Sequence, residues 1–327
     1  MNRQARPALQ VRHSESTHIE AHTEELIDWD LRYDQLDCGR FEGRFTDIRC
    51  EGLQIFQEST TRRVRQRGFL PRGTFSFGTM LTGDGSLHVN GRSVAHDTLI
   101  AVHGQELDVC TPPRCTLAGM VVDASLLHSA AAGLPDLGTL LQGQTLQAVM
   151  APAATLLALR AQLQAALALA QRKPAALQAP GVQRHLRDEL LWHTVQALSA
   201  AEPPSELRRA TNHKPLVDRA CELMLAQTEE APTLIEVCAQ LGVSPRKLLY
   251  CFKDVLGQNP ATYIKAVRLN GVRRDLASAH ATVLDVAARW GFWHFSHFSA
   301  DYKRLFGELP SETLRRWRGL APLPAPH

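Results

Sequence analysis

No apolar run in this sequence approaches the roughly 18 residues that a membrane-spanning helix needs. The opening stretch Met1-Asn2-Arg3-Gln4-Ala5-Arg6 does not lead into the apolar core of a secretory signal. Both absences create the expectation of a cytoplasmic chain with no membrane partner. Cysteine is sparse and unpaired in pattern: Cys38, Cys50, Cys110, Cys115, Cys221, Cys238 and Cys251 are odd in number and lack zinc-ligand spacing. Reduced thiols are therefore expected, not a disulfide framework. The nearest pair, Cys110 and Cys115 in C-T-P-P-R-C, is compatible with a redox or metal pair but reads as an ordinary loop. A nucleophile elbow, a phosphate loop and a paired-carboxylate motif are all missing. No cofactor is expected.

A strong charge of one sign is missing too, since the formal net charge is only +3. The charge is unevenly placed, however. Residues 213–319 carry 15 Lys and Arg against 11 Asp and Glu, leaving 21 against 22 elsewhere. The whole surplus lies in the C-terminal third, which favours nucleic acid there only mildly over a solvated surface. With 44% apolar and 21% charged residues the composition is that of an ordinary globular protein. Its 327 residues suit about two domains.

Residues 1–25 are polar and read as a mobile leader. Residues 26–200 read as one domain, β-rich over 31–123 and helical over 124–200. Short apolar or alternating runs such as Gly52-Leu53-Gln54-Ile55-Phe56 and Ser86-Leu87-His88-Val89 are separated by turn signals, among them Asn90-Gly91 and Pro112-Pro113. That pattern predicts an antiparallel sheet closing into a barrel or sandwich. Over 181–200, Leu186, Leu190 and Val195 fall on one helical face with Trp192 beside it. Either a partner helix or the chain's own core would cover that face. Glu202-Pro203-Pro204-Ser205-Glu206 then opens a linker over 201–212, ahead of a helical domain over 213–319 and a mobile tail over 320–327.

An internal repeat decides the reading of that last domain. Leu234-Ile235-Glu236-Val237-Cys238-Ala239-Gln240-Leu241-Gly242 recurs 49 positions later as Val283-Leu284-Asp285-Val286-Ala287-Ala288-Arg289-Trp290-Gly291. Thr233 and Thr282 stand at plausible N-caps, and Gly242 and Gly291 where a helix must stop and turn sharply. Each copy runs on into a second helix ending at Gly257-Gln258-Asn259-Pro260 or Gly307-Glu308-Leu309-Pro310, now 50 positions apart. Two helix-turn-helix units follow, joined by a helical rod carrying Tyr263, Val267 and Leu276. Their recognition helices would enter successive major grooves about 34 Å apart.

The first recognition helix is predicted over 244–255. Its DNA face is predicted to hold Arg246, Leu249, Tyr250 and Lys253, with Lys247 alongside and Leu248 and Phe252 buried behind. Arg246 is the candidate base reader, with guanine its usual partner. The second recognition helix, over 293–305, carries Ser296, Ser299, Ala300 and Lys303 at the corresponding places. His294, Phe295 and His297 are either supplementary DNA contacts or packing residues.

In Ala239-x-x-Gly242-Val243-Ser244, Phe252-Lys253, Gly257-x-x-Pro260, Tyr263-Ile264-x-x-x-Arg268-Leu269, Val286-Ala287-x-x-x-Gly291-Phe292 and Phe298-x-x-x-Tyr302-Lys303-x-x-Phe306-Gly307-x-x-Pro310-Ser311, the sequence resembles the AraC/XylS family of transcription regulators. Gly291 to His294 and Asp301 to Arg315 look most like the branch containing ethanolamine-operon regulators. The resemblance covers about residues 213–318 and implies double-stranded DNA and RNA polymerase as partners. It also implies an activator and, over residues 26–200, an effector-sensing or dimerisation domain, often cupin-like, for an unknown small-molecule effector; the apolar face over 181–200 beside a linker creates the expectation of a homodimer. The family often has Arg where Ala300 stands, which implies weaker readout by the second helix. His88, His96 and His103 fall in the strand-rich region without the histidine-and-glutamate pattern of enzymatic cupins, so no metal is expected. The fold class that results is α+β, a β-rich cupin-like barrel with helices followed by an all-α domain. The competing class is a cupin-type enzyme or metal-binding protein with a helical appendage.

Overall fold

In strands whose residues are apolar in both registers, both faces must be covered, whereas strict alternation leaves one face for water. Residues 115–123 come near the first kind, and residues 53–60 are buried on both faces although Gln54 and Glu58 are polar; both strands lie in the middle of a sheet. The computed structural model describes residues 9–104, 106–132, 149–200, 213–227, 232–278 and 281–319. Its N-terminal half contains β1 (Gln10–Ser16), α1 (Ile19–Glu24), β2 (Asp30–Gln35), β3 (Gly43–Cys50), β4 (Leu53–Thr60), β5 (Val64–Phe69) and β6 (Thr74–Thr82). These are followed by β7 (Leu87–Val89), β8 (Arg92–Val94), β9 (Thr98–His103), β10 (Leu107–Cys110), β11 (Cys115–Asp123), α2 (Ala124–Ala130), β12 (Val149–Met150), α3 (Ala153–Arg172) and α4 (Pro180–Ser199).

The strands form two antiparallel sheets, one ordered β1-β3-β4-β11-β6-β9-β12 and the other β2-β5-β10-β7-β8. Phe45, Phe56, Val64, Met80 and Val109 fill the space between them. The opposite face of the larger sheet offers Ile48, Ile55, Phe75, Phe77 and Met120 to Leu156, Leu159 and Leu163 of α3 and to Leu190 and Val195 of α4. The sequence-derived barrel or sandwich is thus two packed sheets with helices on one of them. The Asn90-Gly91 hairpin joins β7 to β8 with φ of +48° and +79°, as a two-residue primed turn requires.

One expectation is revised and one open alternative is decided. Residues 9–25 are not a mobile leader. β1 pairs in register with β3 from Gln10 opposite Arg49 to Ser16 opposite Gly43, and α1 buries Ile19 and His22. The apolar face over 181–200 covers the chain's own core through Leu190 and Val195, with Leu186 half-buried and Trp192 left 58% exposed. α3 is long and apolar enough to cross a membrane, but Leu156, Leu159, Leu163 and Leu167 on one side of it are buried in the core it shares with the sheet. The expected linker, 201–212, and tail, 320–327, lie outside the described residues.

Beyond it come α5 (Lys214–Ala226), α6 (Leu234–Leu241), α7 (Pro245–Leu256), α8 (Pro260–Ser278), α9 (Val283–Arg289), α10 (Phe295–Phe306) and α11 (Pro310–Trp317). One core unites them: Val217, Val237, Leu248, Phe252, Tyr263, Val267, Leu276, Val286, Phe298 and Tyr302 are all buried in it. The helical part sits directly on the smaller sheet. Buried Arg65 of β5 pairs with Asp108 at 2.8 and 2.6 Å and donates to the Tyr263 hydroxyl, and Lys214 reaches Asp108 at 2.8 Å. Burial alone would raise the Asp108 carboxyl, but Arg65 and Lys214 outweigh it and hold the group well below the usual carboxylate range.

Candidate nucleic-acid interface

The two repeat copies are built alike down to their hydrogen bonds. Thr233 and Thr282 each close a capping box: Glu236 N–H donates to Thr233 Oγ1 at 3.3 Å while Thr233 N–H donates to Glu236 at 2.7 Å. The Thr282–Asp285 pair repeats this at 3.2 and 3.1 Å. Donors from the capping threonines hold both carboxyls below their ordinary values. At the other ends of α6 and α9, Gly242 and Gly291 take φ of +63° and +77°. Val243 N–H donates back to Cys238 and Phe292 N–H to Ala287, each at 3.0 Å, the bond that turns the chain sharply into the next helix.

α7 is capped by Ser244, whose Oγ accepts from Lys247 N–H at 3.2 Å, and Pro245 occupies its first turn. Leu248, Cys251, Phe252, Val255 and Leu256 are buried, which turns Arg246, Lys247, Leu249, Tyr250 and Lys253 outward. Leu249 at 43% and Tyr250 at 62% exposure are large apolar side chains left outside the core. Tyr250 rests edge-on against His213, 5.4 Å between ring centres, and His213 is hydrogen-bonded to Asp254 at 2.7 Å. Tyr250 therefore stands at the flank of the outward face, beside Arg246 and Lys253.

α10 begins at Phe295, two residues later than the sequence mapping placed it, and His294 at its N-cap supplies no side-chain cap. Phe298, Tyr302, Leu305 and Phe306 are buried. Ser296, Ala300 and Lys303 face outward with Ser299 half-buried, so the four positions carried over from α7 do share one side. His294, Phe295 and His297 are exposed as well, with the histidine rings 5.9 Å apart, so none of the three belongs to the core.

Two further residues join this surface that the repeat alignment did not supply. Trp293 is 59% exposed, and Arg304, paired with Asp301, has a 63% exposed side chain. A tryptophan outside the apolar period and a second base after Lys303 were the signals available.

His88, His96 and His103 do not converge. His103 stacks on Phe75 and bonds the Thr74 carbonyl at 2.8 Å, while His88 lies buried on β7. No group of three or more metal-ligating side chains occurs among the described residues.

A family model described as a helix-turn-helix domain matches residues 237–316, a span that begins within α6 and takes in both glycine turns and both second helices. The C-terminal part of this chain is an AraC-type helix-turn-helix domain. The chain is similar to the probable thc operon regulatory protein of Rhodococcus erythropolis, 36% identical over 103 residues that make up 31% of each chain. It is also similar to XylDLEGF operon transcriptional activator 3 of Pseudomonas putida, 31% identical over 105 residues, 31% of this chain and 32% of that one. A solved AraC-type transcriptional regulator from Chromobacterium violaceum shares 31% identity over 32% of this chain and 93% of its own, with a TM-score of 0.31. The chain spans about a third of the length of the curated relatives cited. Within that domain the outward face of α7 carries three cations, whereas α10 offers Lys303 and Arg304 and has Ala300 in place of a donor.

Proposed function

We propose that this protein is a sequence-specific DNA-binding transcription regulator that acts in the cytoplasm, as a homodimer, on double-stranded DNA. One observation carries the reading: α7 exposes Leu249 and Tyr250 among Arg246, Lys247 and Lys253, and α10 exposes Lys303 with Trp293 just ahead of its first turn, while Leu248, Phe252, Phe298 and Tyr302 anchor the opposite sides of the two helices in the core. Exposed aromatic and basic side chains on the second helix of a helix-turn-helix are the groups that meet base edges and phosphates in a major groove. Arg246, on the first turn of α7, is the base reader, with Leu249, Tyr250 and Lys253 around it. On α10, Ser296, Ser299 and Lys303 position the duplex through its backbone, supplemented by His294, Phe295 and His297.

RNA polymerase as a partner and activation as the sign of regulation rest on the family resemblance. The N-terminal part senses a small molecule and joins two copies. A cleft of about 460 Å³ at one end of the two sheets, between Phe69, Arg72 and His103, is of the size such ligands occupy. Trp192 and Leu157, 58% and 61% exposed on the outer helices, are the apolar groups available to a second copy.

Genome-wide mapping of bound sites tests the function. A recurrent motif of two boxes upstream of a small set of genes is the expected result. Uniform, salt-sensitive occupancy without a motif would overturn the reading.

A further inference from the structure

α8 is the sole covalent link between the two helix-turn-helix units, yet one short segment of the N-terminal part grips both units and α8 at once. In the middle of α8, Asn270 meets the edge of the smaller sheet: Gln35 N–H donates to Asn270 Oδ1 at 2.9 Å and Asn270 Nδ2 donates to the Gln35 carbonyl at 2.8 Å. A side-chain amide thus continues the ladder of β2. Gln35 and Asn270 are each 1% exposed. The Gln35 side chain donates to the Leu305 carbonyl in the last turn of α10 at 2.6 Å and to the Gly39 carbonyl at 2.7 Å, while Gly39 N–H donates to Leu305 at 3.0 Å. On the other side the Leu36 carbonyl accepts from Gln258, just beyond the end of α7, at 3.0 Å, and the Leu36 side chain is buried in the core of the helical part.

Asparagine is a poor residue for a buried helix interior, where both its helix propensity and the desolvation of its amide count against it. Within the AraC-type domain Asn270 makes one bond, to the Ala266 carbonyl of its own helix at 2.7 Å. Its remaining hydrogen bonds go to Gln35 alone, so its polarity serves the junction and not the domain that contains it.

We propose that Gln35 and Asn270 are positioning residues for DNA recognition. Through them the 34–39 segment braces the ends of α7 and α10 against α8, fixes the offset between the two recognition helices, and so selects the spacing between the two boxes of the operator. The inference rests on the proposed simultaneous binding of both units to DNA. Each base pair added between boxes moves the second about 3.4 Å along the axis and around it, so a braced pair discriminates spacing while a pair hinged on α8 alone tolerates it.

The test uses the full-length protein and a set of operators whose box spacing is lengthened or shortened by one and two base pairs, together with a single-box operator. Asn270→Ala and Gln35→Ala should bind the single box within about twofold of wild type but lose roughly tenfold of the discrimination between the best and the off-by-one spacing. Asn270→Asp, which keeps the acceptor and loses the donor, should fall between. Gln35→Ala leaves the Asn270 pair to the Gln35 backbone intact, so it reads the brace even if Asn270→Ala fails to fold. Wild-type spacing preference in folded Gln35→Ala and Asn270→Asp would overturn the proposal. Failure of the wild type itself to bind either operator would instead refute the DNA-binding reading.

Discussion

Replacing Arg273 by methionine isolates the charge that ties the N-terminal helix to the second helix-turn-helix unit. The Arg273 side chain is 3% exposed, with Nε donating to Glu20 at 2.7 Å, Nη1 to Glu308 at 2.8 Å, and the guanidinium 4.6 Å from the ring centre of Phe306. Methionine retains most of the stem that packs on Phe306 and deletes the donors. Removing one member of a buried ion pair costs about 3–5 kcal/mol, because the partner stays behind uncompensated. Here Glu308 keeps both bonds from Arg316, at 2.6 and 2.8 Å, and the Glu20 side chain retains 14% exposure. The expected loss is therefore at the low end, about 3 kcal/mol. Guanidinium unfolding followed by far-ultraviolet circular dichroism measures it as a fall in midpoint at unchanged slope. Adding Glu20→Gln should recover about 1–2 kcal/mol of the sum of the single losses, since the stranded carboxylate is then gone. An Arg273→Met protein within about 0.5 kcal/mol of wild type, or strictly additive losses in the double variant, would refute the argument.

Three other outcomes follow from local geometry. Burial works to raise the Glu308 carboxyl, but bonds from Arg316 and Thr313 and the charge of Arg273 bring it from 4.5 to about 2. Its contribution, about 2 kcal/mol after discounting for solvent screening, is complete above pH 4.5 and drains away as pH falls toward 2; Glu308→Gln should flatten the stability profile in that window. Gly242→Ala should cost about 1 kcal/mol by thermal melting, all of it from the backbone, because φ is +63° and a β-carbon there meets no atom within 4 Å. In a native thiol titration Cys38, the one exposed cysteine among the seven, should react fast and alone; burial pushes Cys110 up to about 12, and Cys38→Ser should abolish the fast phase.

The helical domain was legible because its signals are local. Capping threonines, left-handed glycines and a buried face recurring at 49 and 50 positions each act within a few residues of themselves, and they place α6, α7, α9 and α10 almost to the residue. The exception is the start of α10, where His294 supplies no cap and the copied boundary ran two residues long. What stayed hidden depends on distant partners. β1, Gln10-Val11-Arg12-His13-Ser14-Glu15-Ser16, has no apolar alternation and is held by its ladder to β3 and by the Arg12 bonds to Glu25 and Asp47. For α4, period 3.6 reveals that one face is buried but not by what, so the chain's own sheet and a second copy were equivalent readings. Asn270 and Gln35, 235 residues apart in sequence, carry no pattern linking them at all.

The most direct test of the account is the affinity of the full-length protein for its operator and for every single-base variant of it. It should be measured at several salt concentrations for wild type, Arg246→Ala and Lys303→Ala. The account predicts wild-type penalties of about 1–3 kcal/mol per wrong base concentrated in the box beneath α7, and Arg246→Ala should weaken binding and flatten those penalties. Lys303→Ala should weaken binding to all sequences alike and lower the salt slope by about 1. Unchanged affinity and base preference in Arg246→Ala, or heavier penalties beneath α10 than beneath α7, would contradict it and transfer base reading to His294 or His297.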